Sequence, residues 1–333
     1  MLKAMRTALT TMFDLTVPVV SAPMAGVADA RLAVAVSRAG ALGSIGVGST
    51  RPDSWVAEQL QVAGAAGVPF GVGFMAWSLP EGAEGFELAL RARPALLSIA
   101  FGDVAPWVQR ARSEGISVAV QVGTCDEAVA AERAGASILV ARGGEAGGHG
   151  ENQVATLPLL QQVLDAVSVP VLAAGGIATA RGLAAVLAAG AAGAWVGTAF
   201  AGCRESTSSP AARRAMADAD AAGTVYGRSF DVAQRLAWPA RFGGRALAND
   251  FTRIWSGRDA ELAELAGAPG DGPAEPGSVT ARMADARARG DVTMAPVYCG
   301  QGVGQIRVDV PAAEVVAEFA RADELLRAAA DLT

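Results

Sequence analysis

VPVLAAGGIATARGLAAVLAAGAAGAWVGTAFAGC, residues 169–203, carries a single charge, Arg181. A membrane span needs about 20 unbroken apolar residues. This run is interrupted by Pro170 and by glycines at 175, 176, 182, 190, 193 and 197. It therefore reads as a strand at Pro170–Ala174, a Gly-Gly turn, a helix at Thr179–Ala189 closed by Gly190, and a second strand at Ala194–Thr198. Both strands are apolar throughout rather than alternating, which marks a parallel sheet covered on both faces.

The same grammar extends back to the start of the chain. Further strands are expected at Val17–Ala22, Leu42–Val47, Pro69–Met75, Leu96–Phe101, Ser117–Val122 and Ser137–Ala141. Helices fall between them at Ala28–Ala39, Pro52–Ala66, Gly82–Ala92, Ala105–Ser113, Cys125–Ala134 and Thr156–Ala166. The phrases AGALGSI (39–45), AGASILV (134–140) and AGAAGAWV (189–196) each join a helix end to the next strand, as successive βα units require. Eight units fit an α/β fold of the closed (β/α)8 TIM-barrel type. The competing open sheet places its Gly-rich loop after the first strand, where this chain has SAPMAGVAD (21–29).

The division expected is a barrel over 1–205, a helical cap or substrate-side insertion over 206–290, and a return segment over 291–333 packing on the barrel. In 206–290 the strand patterns vanish, and AGAPGDGPAEPGS (266–278) reads as a flexible loop. An amphipathic helix is expected at Val310–Ala330.

Composition excludes several functions. Of 333 residues 52% are hydrophobic and 18% charged, too apolar for a disordered chain. A net charge of -6 argues against an electrostatic nucleic-acid binder, which normally shows a basic face. Three widely spaced cysteines, Cys125, Cys203 and Cys299, suggest neither a disulfide framework nor a zinc cluster. The start, MLKAMRTALTTMF, lacks the apolar core of a signal peptide, so a reduced, cytoplasmic protein without a membrane span is expected. The chain has one histidine, His149, and one lysine, Lys3. A site with several His ligands is excluded within one chain, and Lys3 in a ragged N-terminus is poorly placed for Schiff-base chemistry. The hard chemistry then falls to a cofactor, or to carboxylates, Ser or Cys acting with His149.

A barrel carries its function at the C-terminal ends of its strands. Those positions hold Ala22, Pro23 and Met24 after the first strand, Gly73 on the third, and Gln121 on the fifth. The sixth is followed by GGEAGGHG (143–150), the seventh by Gly175-Gly176, and the eighth ends in Gly197-Thr198. Bare N–H groups and a helix N-terminus after strands seven and eight are the usual phosphate site of this fold. Tight turns alone also explain those glycines. His149 can take a proton near neutral pH, with Glu145 as a partner; a structural histidine and an Arg142–Glu145 salt bridge are the plainer readings. GQGVG (300–304) lacks the strand-turn-helix of a dinucleotide fingerprint and reads as a return loop touching the site. Trp195 and the cysteines read as packing, while Met75 and Trp77 line a pocket or fill the core.

Together APMAG (22–26), GGEAGGHG (143–150), AAGGIA (173–178), VGTAF (196–200) and PVYCGQGVG (296–304) resemble the nitronate monooxygenase family. The resemblance implies an FMN-dependent TIM barrel that oxidises alkyl nitronates with O2 to carbonyl compounds and nitrite, by one-electron transfer from nitronate to flavin. By motif, Ala22, Pro23, Met24, Gly147 and Gly148 would line the flavin, with Gln121 near it. Gly175, Gly176, Gly197 and Thr198 would hold its phosphate, and His149 would face the substrate as the base for neutral nitroalkanes. Gly73 stands where relatives often carry Asn, and Arg142 where they carry Gln or Asp. Flavin-dependent enoyl-ACP reductases and NAD(P)H:quinone reductases share a similar EAGGH segment, so an NAD(P)H-dependent reductase is the alternative. A flavin-free phosphate-binding isomerase or lyase, and a homo-oligomer, also remain open.

Overall fold

The computed structural model describes residues 5–79 and 83–331. Lys3 and the expected helix start at Gly82 lie outside the described residues. Eleven strands number in chain order: β1 Val19–Ser21, β2 Gly43–Gly46, β3 Phe70–Met75, β4 Leu96–Ala100, β5 Ser117–Val122, β6 Ile138–Arg142, β7 Gly148–Gly150, β8 Val171–Ala174, β9 Gly193–Val196, β10 Thr224–Gly227 and β11 Gly243–Leu247. Eight of them pair in parallel in the order β1-β9-β8-β6-β5-β4-β3-β2. A parallel bridge from Val20 to Leu42 draws β2 back to β1 and closes the barrel. The fold is a TIM barrel, and the strands expected from sequence form its staves within a few residues.

Side chains divide along each stave as a two-residue period demands. Val20, Leu42, Leu96, Ala119, Ile138, Val140, Leu172 and Trp195 fill the barrel interior. Their neighbours Val19, Ile45, Val72, Leu97, Val118, Leu139, Val171 and Val196 face the outer helices. The helix Ala8–Phe13 plugs the lower end, where Leu9 is fully buried in the interior cluster. Two residues beyond Ala119 and Val140, the alternation turns Gln121 and Arg142 inward at the upper end.

No long helix follows β9. The chain makes a four-residue turn at Thr198–Ala201 and leaves the barrel. Its eighth outer helix comes from the far end of the sequence, as Ala312–Ala320 and Ala322–Ala330. These pack between the helices Ala30–Arg38 and Ala180–Ala188, closing the ring. The single helix expected over Val310–Ala330 is thus two, broken at Arg321.

The strandless reading of 206–290 is corrected. β10 and β11 pair antiparallel with each other, and β11 pairs antiparallel with β7. β7 itself was unexpected, because GHG has neither β-branched residues nor alternation. Around this small sheet the helices Ser229–Ala233, Asp250–Trp255, Asp259–Ala266 and Val279–Arg289 enclose a separate apolar cluster of Phe230, Phe251, Leu262 and Met283. Among the described residues no helix is long and apolar enough to cross a membrane.

Candidate active site

The loop between β6 and β7 is shaped from both sides by buried arginines. Arg142, 5% exposed at the top of β6, donates from Nη1 to the Glu151 carbonyl at 3.1 Å. Its Nη2 reaches the carbonyls of Ala146, Gly147 and Gly148 at 3.3, 3.3 and 3.0 Å. Arg245 on β11 donates to the Gly144 carbonyl at 2.8 Å and to Asn152 Oδ1 at 3.0 Å. Burial brings the ionisation of Arg142 down to about 10 and also lowers that of Arg245.

The Arg142–Glu145 salt bridge does not form. Glu145 Oε2 instead accepts from the Thr156 N–H at 2.8 Å and the Thr156 hydroxyl at 2.7 Å, anchoring the start of the helix Thr156–Ala166. Nor is Glu145 the partner of His149.

That partner is Asp231. β7 lies against β11 with His149 opposite Gly244. Arg142 sits beneath Gly150, so strand alternation turns His149 the other way, into the cap. There Nε2 lies 2.8 Å from Asp231 Oδ1, the two side chains being 10% and 2% exposed. The imidazole stacks on Trp238 at 3.8 Å with an interplanar angle of 3°, and Tyr298 lies 5.3 Å away. A carboxylate on Nε2 selects the tautomer protonated there, leaving Nδ1 as the basic nitrogen; Nδ1 has no partner among the described residues. Burial, then the charge of Asp231, raises the Tyr298 phenol well above its usual range, keeping it protonated.

Gly244 makes this packing possible. A Cβ there would fall 2.8 Å from Tyr298 Cε1 and 3.4 Å from His149 Nε2. Gly244→Ala is expected to cost about 1–3 kcal/mol by overpacking and to disturb the His149–Asp231 contact. Thermal melting together with the rate of His149 modification by diethylpyrocarbonate checks it, and unchanged values in both would contradict the crowding.

On the other side of the mouth, the loops after β1, β6, β8 and β9 meet. Ala22 N–H donates to the Val196 carbonyl at 2.8 Å, and Met24 Sδ lies 3.5 Å from where a Gly197 Cβ would stand. Pro23 occupies the space a Gly73 side chain would need, so Gly73 lets Pro23 settle onto the barrel. Gly147 packs on the backbone of Cys299–Gly300, whereas a Cβ on Gly148 would meet nothing within 4 Å. Gly175 and Gly176 have φ of +122° and +69°, a turn that favours glycine. Past that turn the N–H groups of Gly176, Ile177 and Ala178 find no acceptor among the described residues. Thr198 Oγ1 accepts from the Gly300 N–H at 2.9 Å, which brings the return loop 300–304 onto the same place.

Gln121 stands apart from this group. It lines a cavity of about 250 Å³ with Phe101, Val104, Arg142, Glu151 and Phe242. Burial pushes the thiols of Cys203 and Cys299 up to about 12, so neither supplies a thiolate. Among the described residues no group of three or more His, Cys, Asp or Glu is arranged to hold a metal.

Sequence reasoning singled out His149 and the glycine loops but not Asp231, Trp238 and Tyr298, which surround His149 in the structure. Nothing in the local sequence around Asp231 marks it, since it meets His149 across 82 positions.

The sequence profile of the nitronate monooxygenase family matches residues 6–85 and 82–321. A nitronate monooxygenase from Paraburkholderia phytofirmans is 30% identical, over 94% of each chain. Two solved structures match nearly end to end. FabK from Thermotoga maritima superposes with a TM-score of 0.84 at 25% identity, covering 99% of this chain and 100% of that one. Nitroalkane oxidase from Streptomyces ansochromogenes gives 0.80 at 30% identity, covering 97% and 99%.

Proposed function

Since the chain belongs to the nitronate monooxygenase family, we propose that it is an FMN-dependent oxidoreductase converting alkyl nitronates, and nitroalkanes after deprotonation, to carbonyl compounds and nitrite with O2. The observation that carries the reading is His149, held edge-on by Asp231 and face-on by Trp238 at the barrel mouth, one residue from the open backbone of Gly148.

The residues fit FMN. The free N–H groups of Gly176, Ile177 and Ala178 precede the helix Ala180–Ala188, a suitable place for a phosphate. Gly175, Gly197 and the Thr198 hydroxyl complete that cradle, and the bare faces of Gly147 and Gly148 with Ala22, Pro23 and Met24 suit a flat ring. Gln121 lines the separate cavity rather than this cradle, so the fit to FMN rests on the other residues. Bound FMN would supply electron transfer from the nitronate to O2.

The protein's own chemistry is proton handling. His149 takes the α-proton of a neutral nitroalkane on Nδ1, and Asp231 stabilises the imidazolium that results. A nitronate arrives already deprotonated and needs no such base. The shell of Trp238 and Tyr298 keeps bulk water from His149.

A reductase fed by NADH or NADPH is the second reading, favoured by the end-to-end match to FabK. Anaerobic mixing of FMN-loaded protein with ethyl nitronate, NADH and NADPH in turn separates the two. A change in the flavin spectrum with nitronate and not with nicotinamides, followed by nitrite release in air, is expected. Full bleaching by NADH or NADPH would replace the first reading with the second.

A further inference from the structure

His149 is covered in a way that its proposed role as a base does not explain. The Trp238 indole lies flat on the imidazole at 3.8 Å, nearly parallel. It belongs to a strap, residues 234–242, that has no regular structure and crosses between the helix Ser229–Ala233 and β11. The strap is tied at both ends. Arg235, in the left-handed region at φ +53°, donates to the carbonyls of Ala266 and Gly272. Arg241 pairs with Glu127 at 3.2 Å and with Glu151 at 3.5 Å.

Between these ties Trp238 is held mainly by ring contacts: His149, Trp77 at 5.0 Å and Phe101 at 5.3 Å. Its carbonyl accepts one bond, from Arg228 Nη2 at 3.3 Å. Two residues that contact this tryptophan, Trp77 through its ring and Arg228 through Nη2, each carry a buried donor with no acceptor, Nε1 and Nε. Buried donors are seldom left so, and here both belong to residues packed on the element argued to move. There is also room for movement. Phe101 and Phe242, which pack against each other at 5.4 Å, are walls of the cavity of about 250 Å³ that runs past Val104 and Gln121.

We infer that Trp238 is a removable cover over His149. Its withdrawal toward the cavity behind Phe101 and Phe242 admits substrate to the histidine, which makes Trp238 the residue that sets the size of substrate accepted. The specificity part rests on the function proposed above; the cover itself does not.

His149 is the one histidine in the chain, so diethylpyrocarbonate reports on it alone through absorbance at 240 nm, with no flavin and no turnover required. If the uncovered state is populated ~10% or less, removing the cover should raise the rate of modification at least about tenfold. The protein without FMN is compared with Trp238→Ala, Trp238→Phe and Val104→Phe. Trp238→Ala should reach that increase and Trp238→Phe an intermediate one. Val104→Phe fills the cavity and should slow modification below the wild-type rate. Equal rates in all four folded proteins overturn the cover, and Trp238→Phe with Val104→Phe decide the matter if the alanine variant does not fold. Faster modification of Val104→Phe would overturn withdrawal into the cavity. In the FMN-loaded enzyme, Trp238→Ala should lower KM for a branched nitronate relative to ethyl nitronate. Absence of nitronate turnover in every variant counts against the proposed function and leaves the modification rates as the test of the cover.

Discussion

His149→Asn is expected to abolish turnover of neutral nitroethane, by about 10²–10⁴-fold, while ethyl nitronate keeps most of its rate. Deprotonation of carbon is the step for which a positioned base is needed, and Asn cannot accept that proton. The nitronate carries no such proton, so its oxidation bypasses the step. Asp231→Asn separates orientation from basicity. An amide at that position cannot stabilise the imidazolium and can reverse which imidazole nitrogen carries the proton, so nitroethane turnover should fall and nitronate turnover should hold. Steady-state kinetics with both substrates, at equal FMN occupancy, checks each variant. Equal losses on nitroethane and its nitronate would remove His149 from the role of base and leave it a binding residue.

The division between what was legible and what was not follows sequence distance. The barrel is written in phrases such as Ala189–Val196, where a helix end, a glycine and a buried strand sit side by side. Burial of both sheet faces makes those strands apolar throughout, so their positions needed no long-range information. The Gly175-Gly176 turn was readable for the same reason, because its positive φ values are a local demand. The small sheet is the opposite case. β7 is Gly-His-Gly and β11 begins Gly-Gly, compositions that argue against strands. They pair because Arg142 and Arg245 pin the loop between β6 and β7 and because Gly243 and Gly244 let Tyr226 and Tyr298 approach. None of those causes is visible within a short window. His149 stands out through its position after the sixth barrel strand, while Asp231 lies on a short helix with no periodic pattern to announce it. Arg142 was noticed as a departure from its relatives, yet its four carbonyl acceptors depend on the folded loop.

Arg142→Met is expected to destabilise the protein by about 2–4 kcal/mol, and two opposing effects decide that figure. Keeping the guanidinium charged in its buried site, with its ionisation drawn from 12.5 down to about 10, costs roughly 3 kcal/mol. Because about 10 lies well above neutral pH, the group is charged under ordinary conditions and this cost is always present. Against it stand three N–H groups, one on Nη1 and two on Nη2, shared among four main-chain carbonyls, at ~1.5–3 kcal/mol for each N–H of a charged donor. The bonds outweigh the burial cost. A methionine of similar length relieves the burial but leaves the carbonyls of residues 146, 147, 148 and 151 without that donor, and the loop can recover part of the loss by turning some of them to water. A fall in melting temperature of roughly 3–6 °C is the expected result for a chain of this length. Arg142→Lys keeps the charge but not the planar fork, so a single ammonium cannot reach all four acceptors and an intermediate loss should follow. Scanning calorimetry on the three proteins decides the question. A methionine variant that melts within a degree or so of the wild type would mean that the loop presenting His149 is held by Arg245 and the β7–β11 pairing, with Arg142 tolerated rather than required.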